Sequence, residues 1–147
     1  MMIAIPIRAR SNDEAFRLMD KAAGLADILE LRIDFMKKPN LEKLLAHSPL
    51  PKIVTDRVKS EGGIFQGSEK ERIAYLQEAI ALGAEYVDIE LNHYQPLEKK
   101  NTKLIVSYHN LQNTPENLER IYWKIARKNP DIIKIATMAT SISDSRR

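Results

Sequence analysis

A single lysine interrupts an apolar, β-branched run, Asp131-Ile132-Ile133-Lys134-Ile135-Ala136-Thr137-Met138, bounded by Pro130 and Ser141. The run reads as a buried strand. A strand packed on both faces offers an ammonium no water, and burial without a partner disfavours the charged form. A neutral amine is a nucleophile towards ketones and aldehydes. The competing reading is a lysine that points outward or pairs with a carboxylate. Around it the chain carries other groups able to do acid–base or ionic chemistry: Glu30, Arg32, Asp34, Arg57, Glu61, Asp88, Glu90, Ser107 and His109.

These residues need elements to hold them. The pattern predicts strands over residues 3–8, 27–34, 52–57, 85–91, 103–108 and 131–138. Helical patterns lie between most of them. Ser11-Asn12-Asp13-Glu14 is cap chemistry, followed by Ala15, Leu18, Met19 and Ala22 at helical spacing and closed by Gly24. Leu41, Leu44 and Leu45 share one face of a short helix over 40–47. Ser68 and Glu71 have capping-box spacing ahead of Ile73, Leu76 and Ile80, and Gly83 ends that helix. Residues 92–100 form a loop or a short turn of helix. Thr114 is expected to cap and Pro115 to open a helix with Leu118, Ile121, Tyr122 and Ile125 facing inward, stopped by Asn129-Pro130.

Alternating strands and helices imply parallel strands with helices outside. An open doubly wound sheet and a (β/α)8 barrel both fit. No glycine-rich phosphate loop follows the first strand, which weakens the nucleotide-binding form of the open sheet. Side-chain parity then favours the barrel, because residues two apart on a strand share a face. Glu30, Arg32 and Asp34 share one face. So do Thr55 and Arg57, Asp88 and Glu90, Ser107 and His109, and Lys134, Ala136 and Met138. The opposite parity is mostly Ile, Leu and Val. A barrel packs the aliphatic series under its helices and turns the polar series inward. The charges gather at C-terminal strand ends, where barrel active sites lie. Structural ion pairs account for Asp34 and Asp88, but they strain to cover two arginines, three glutamates, a histidine and a lysine together.

Composition narrows the classes. The chain has 147 residues, enough for one domain with a real core. Lys plus Arg is 23 and Asp plus Glu is 20, a net charge of +3 spread along the chain. This makes no case for nucleic acid or an anionic membrane as partner. There is no cysteine, so no disulfide framework, thiolate metal site or thiol nucleophile. The start lacks signal-peptide character, no apolar stretch approaches membrane-spanning length, and a cytoplasmic protein is expected.

Four motifs in this order, each at a predicted strand end, resemble type I 3-dehydroquinate dehydratase, the Schiff-base enzyme of the shikimate pathway. They are Glu30-Leu31-Arg32-Ile33-Asp34, Arg57 with Glu61-Gly62-Gly63, Ser107-Tyr108-His109-Asn110 and Lys134-Ile135-Ala136. The resemblance runs from Ile3 to the last residue and implies an α/β fold of (β/α)8 TIM-barrel type. It implies that Lys134 forms an imine with the C3 ketone of 3-dehydroquinate. His109 removes the C2 proton and then protonates the departing C1 hydroxyl, and Glu61 orients His109. Glu30, Arg32 and Arg57 bind and position the substrate, and no metal or organic cofactor is needed. Arg32 and Arg57 are expected near Lys134, favouring its neutral form. His47 and His93 read as surface residues. Asn110 stands where many members of the family have Asp.

The resemblance also implies a departure. A barrel needs eight βα units, and six strands are legible here. Ser141 and Asp144 announce a further helix, and the sequence stops at Arg147. The reading is thus a single incomplete barrel domain over 1–147, truncated after strand six. It would lack the family's carboxylate-binding arginine and its last covering loop. Strands one and six would be open edges. A homo-oligomer or an aggregate, and weak or absent dehydratase activity, are the expectations for such a chain. Two alternatives stand beside it: another class I Schiff-base aldolase-like barrel, and a non-catalytic barrel fragment that acts as an oligomerising or binding module.

Overall fold

The structure is a computed structural model that describes residues 2–146. Six strands alternate with four helices. The strands are β1 (Ala4–Ile7), β2 (Ile28–Arg32), β3 (Lys52–Thr55), β4 (Tyr86–Glu90), β5 (Lys103–Asn110) and β6 (Ile132–Thr137). The helices are α1 (Asn12–Ala22), α2 (Leu41–Ala46), α3 (Glu69–Ala81) and α4 (Leu118–Ala126). All strand pairs are parallel and follow sequence order, β1-β2-β3-β4-β5-β6. Between β4 and β5 the chain makes only a 3-10 turn, Leu91–His93, and a loop.

The sheet is strongly curled. Lys134 on β6 lies 3.5 Å, Nζ to Oε1, from Glu30 on β2. Four inter-strand steps would separate these strands by about 19 Å in a flat sheet, so the two side chains meet only because the sheet bends towards them. The result is a half-barrel of six parallel strands. Among the described residues β1 and β6 each pair on one side only. A closed eight-stranded barrel is therefore not formed by the described residues.

Parity divides the two faces as the sequence implies. The outward series Leu29, Leu31, Val54, Val87, Ile89, Leu104 and Val106 is buried. It packs in one core with Met19 of α1, Leu44 of α2, Leu76 and Ile80 of α3, and Ile125 of α4. Local chemistry sets the helix starts. Ser11 accepts from the Glu14 N–H at the head of α1. Ser68 and Glu71 form a reciprocal capping box on α3. After α3, Gly83 takes φ +85°, and after α4, Asn129 takes φ +52°. Both are left-handed positions that end a helix cheaply.

Several boundaries differ from the sequence reading. The second strand ends at Arg32, where a 3-10 turn over Ile33–Phe35 begins, and β3 ends at Thr55. β5 runs on to Asn110, because each residue up to Asn110 finds a ladder partner on β6. α1 stops at Ala22, before Gly24. Thr114 does not cap α4, which starts at Leu118 with Asn117 as its N-cap. Its hydroxyl instead meets Thr137 Oγ1 and the Met138 carbonyl, tying the loop to the end of β6. The Ser141–Asp144 pattern gives a 3-10 turn over Ile142–Arg146. There the Asp144 carboxylate accepts from the Thr140 and Ser141 N–H groups.

The core assignment has a direct test. Leu76 is fully buried and Leu82 is 41% exposed. Leu76→Ala should lower the unfolding free energy by about 2–5 kcal/mol in urea titration, and Leu82→Ala by far less.

Candidate active site

The inward face holds two polar layers at successive heights. Register aligns Arg32 with Thr55 and Thr55 with Asp88. One step further up, it aligns Glu90 with Ser107 and Ser107 with Lys134. His109 pairs with Ala136 above them. Five strands, β2 to β6, therefore deliver the polar series to one concave face, which no single stretch of chain could do.

Asp88 is the centre of the lower layer and is wholly buried. Its Oδ2 accepts from Arg57 Nη2 at 2.9 Å and from Lys134 Nζ at 3.1 Å. Its Oδ1 accepts from Ser107 Oγ at 2.5 Å. Burial pushes the Asp88 carboxyl up, but Arg57 and Lys134 outweigh it and hold the group below the usual carboxylate range. Arg57 is the counterpart. Burial alone would lower its basicity, and Asp88 and Glu90 raise it above the ordinary value. Its Nη1 also donates to Ser107 Oγ at 2.7 Å and pairs with Glu90 Oε1 at 3.1 Å.

Lys134 differs in part from the sequence reading. Its strand is not packed on both faces, and its side chain is 36% exposed. The groups touching Nζ are carboxylates, Asp88 at 3.1 Å and Glu30 at 3.5 Å. Arginines were expected as its neighbours. Arg57 reaches it only through Asp88, and Arg32 is turned to a two-pronged pair with Asp34 at 2.8 and 2.9 Å. Glu30 accepts a hydrogen bond from the Thr55 hydroxyl at 2.9 Å.

His109 and Glu61 come together, as the family resemblance implies. Glu61 Oε2 lies 2.9 Å from the His109 backbone N and 3.0 Å from its Nδ1. An ionised carboxylate only accepts, so Nδ1 carries the proton and Nε2 is the nitrogen left for chemistry. Asn92 touches the other Glu61 oxygen at 3.4 Å. Glu61 ends the 3-10 turn Lys59–Glu61, and two glycines fold the loop back. Gly62 sits at φ +85°. A Cβ on Gly63 would lie 1.8 Å from the Arg57 carbonyl oxygen. The other two histidines lie outside the site: His47 stacks on Phe16 and pairs with Asp20, and His93 lies 3.7 Å from Glu69.

Behind the site sits a second ionic group that sequence reasoning missed. Arg72 of α3 is wholly buried. It bonds Glu90 at 2.7 Å, Glu69 at 2.7 and 3.0 Å and the Asp56 carbonyl at 3.1 Å. It lies four and eight residues before Leu76 and Ile80 on the buried stripe of α3, so its spacing fits that face and only its charge argues against it. The Asp56 carboxyl is buried, and neither oxygen has a hydrogen-bond partner among the described residues. Burial first, then Asp34, raises it to about 8, with Arg72 opposing and Glu90 and Glu69 adding to the rise. Among the described residues no group of three or more His, Asp or Glu side chains is arranged to hold a metal ion. Among the described residues no helix is long and apolar enough to cross a membrane.

Two outcomes follow from this geometry. Gly63→Ala should displace the loop, costing about 1–3 kcal/mol in stability and weakening the Glu61 hold on His109. Gly24→Ala, with open space around its Cβ, should do neither. Thermal melts and a His109 chemical-shift titration would separate them. Asp56 should also make stability depend on pH. It is neutral in the fold and ionises readily when unfolded, so its contribution is complete below about pH 4 and is lost as pH rises towards about 8. Asp56→Asn should therefore gain on the parent protein across that window, by at most about 1.4 kcal/mol per pH unit. Urea titrations at a series of pH values would read this, and a constant difference would contradict it.

The family model for type I 3-dehydroquinase matches residues 3–147. The chain is 39% identical to the chloroplastic bifunctional 3-dehydroquinate dehydratase/shikimate dehydrogenase of Arabidopsis thaliana, covering 99% of this chain and 26% of that protein. It is 37% identical to 3-dehydroquinate dehydratase of Methanococcus maripaludis strain C5, covering 98% of this chain and 70% of the relative. The crystal structure of 3-dehydroquinate dehydratase from Geobacillus kaustophilus superposes with a TM-score of 0.87 at 26% identity, covering 97% of this chain and 64% of that one. The chain thus spans about a quarter of the plant protein and some two thirds of the other two. A family model matched along nearly the whole chain, and a close relative matched over most of its own length, establish that the chain belongs to the type I 3-dehydroquinase family.

Proposed function

We propose that this chain carries the Schiff-base and acid–base residues for dehydration of 3-dehydroquinate to 3-dehydroshikimate. The observation that carries the reading is the convergence on one concave face of a half-exposed lysine and a histidine whose Nδ1 is held by a carboxylate. Family membership supports the substrate.

The chemistry runs through Lys134. Its ammonium and the C3 ketone give an iminium and one water, with the positive charge kept on nitrogen. The iminium draws electrons from C2 and acidifies its proton. His109 Nε2 takes that proton, leaving a neutral enamine and an imidazolium stabilised by Glu61. The enamine pushes out the C1 hydroxyl, which leaves as water with the proton from His109. Water then cleaves the conjugated iminium and returns Lys134. Glu30, beside Nζ, is placed to hold a substrate hydroxyl. Arg32 and Arg57 are assigned to positioning, Arg57 through the carboxylates it fixes.

Incubation with 3-dehydroquinate and borohydride should leave a reduced adduct, and mass spectrometry of the digest should place it on Lys134. An adduct on another lysine would reject the assignment. His109→Ala should still form that adduct while dehydroshikimate production, read by absorbance, falls ~10²- to 10⁴-fold. Near-normal turnover in that variant would remove His109 from the mechanism.

A further inference from the structure

Lys134 is not the only group at the reacting nitrogen. Asp88 Oδ2 lies 3.1 Å from it, closer than Glu30 at 3.5 Å. Asp88 is also the more enclosed of the two, with a fully buried side chain against 15% exposure for Glu30. Its other contacts fix its orientation: Arg57 Nη2 shares Oδ2, and Ser107 Oγ donates to Oδ1. A carboxylate this well tied cannot swing away when substrate arrives. It also has no proton to offer, since its neighbours favour the ionised form.

We infer that Asp88 is a further catalytic residue, the fixed counter-ion of the iminium at Lys134. The inference rests on the Schiff-base reading above. Ammonium plus ketone becomes iminium plus water with the same single positive charge on the same nitrogen. A carboxylate beside that nitrogen therefore serves both states without moving. It also serves the conjugated iminium after the hydroxyl has left. The neutral enamine between them is the one state it does not favour. Sharing its charge with Arg57 and Ser107 moderates that bias, because the carboxylate is already hydrogen-bonded on both oxygens.

The experiment is a pH profile of trapping. Protein is held with 3-dehydroquinate and cyanoborohydride across a pH series, and the fraction of Lys134 modified is read by mass spectrometry. An opposite charge at this distance favours a cation by about one to three pH units. Asp88→Asn should therefore move the alkaline limb of the profile to lower pH by about one unit or more. Ser107→Ala removes a hydrogen bond and no charge, and should leave the limb in place. Arg57 keeps Glu90 as its partner in these variants, so no buried charge is stranded. Asp88→Ser, with room for a water, gives the same reading if the amide packs poorly. Trapping on Lys134 with an unmoved limb in both Asp88 variants overturns the counter-ion role and leaves the Schiff-base reading intact. An equal displacement in Ser107→Ala also overturns it, by showing that geometry and not charge sets the limb. Absence of Lys134 trapping in the parent protein rejects the Schiff-base reading itself.

Discussion

The buried carboxylate of Asp88 is the constraint on which the site depends. It stands on β4 and joins Arg57 beyond β3, Ser107 on β5 and Lys134 on β6. Four segments distant in sequence are held by one group. Placing a charge there is expensive, because no water reaches it, and the fold recovers that cost only by supplying cations and a hydroxyl at good geometry. Arg57 is the main cation. It is itself held by Glu90, which is held by Arg72 under α3. The chain of pairs Lys134–Asp88–Arg57–Glu90–Arg72 thus runs from the concave face to the helix layer. Each member touches two oppositely charged partners, counting Glu30 at one end and Glu69 at the other, so removing one weakens its neighbours' compensation without leaving any of them unpaired.

The curl of the sheet is the other half of the arrangement. Parity turns the polar residues to one face, but only curvature brings β2 within reach of β6. Glu30 and Lys134 are 104 residues apart. The aliphatic outer face supplies the force, since the helices can bury it only by wrapping around a bent sheet. Fold and site are therefore not separable: the packing that buries Leu29, Val87 and Val106 also sets the Lys134–Glu30 distance.

Much of this is legible in the residues before any coordinates. Alternation along the strands separates Glu30, Asp88, Ser107 and Lys134 from the aliphatic series, and register does the rest. Glu61 and His109 are recognisable through the family's motifs, and they meet. What alternation does not reveal is which partner each charge takes. Arg32 and Arg57 share the inward parity with Lys134, yet both face carboxylates, because opposite charges pair when water is excluded. Nor does it reveal that Lys134 stays partly exposed, since that depends on β6 being paired on one side only. Arg72 and Asp56 were invisible for a different reason. They lie in the layer between sheet and helix, where patterning leads one to expect apolar side chains. Thr114 misled because cap chemistry has the same composition as a loop that ties down a strand end.

The central claim is that Lys134 and His109 act on the same molecule from one face. A crystal structure of the protein after borohydride reduction in the presence of 3-dehydroquinate tests it most directly. The account requires continuous density from Lys134 Nζ to the C3 carbon of the ligand. It also requires His109 Nε2 within about 3–3.5 Å of the C2 carbon, with Nδ1 still on Glu61. A ligand joined to Lys134 but with C2 out of reach of His109, or a ligand bound away from this face, would contradict it.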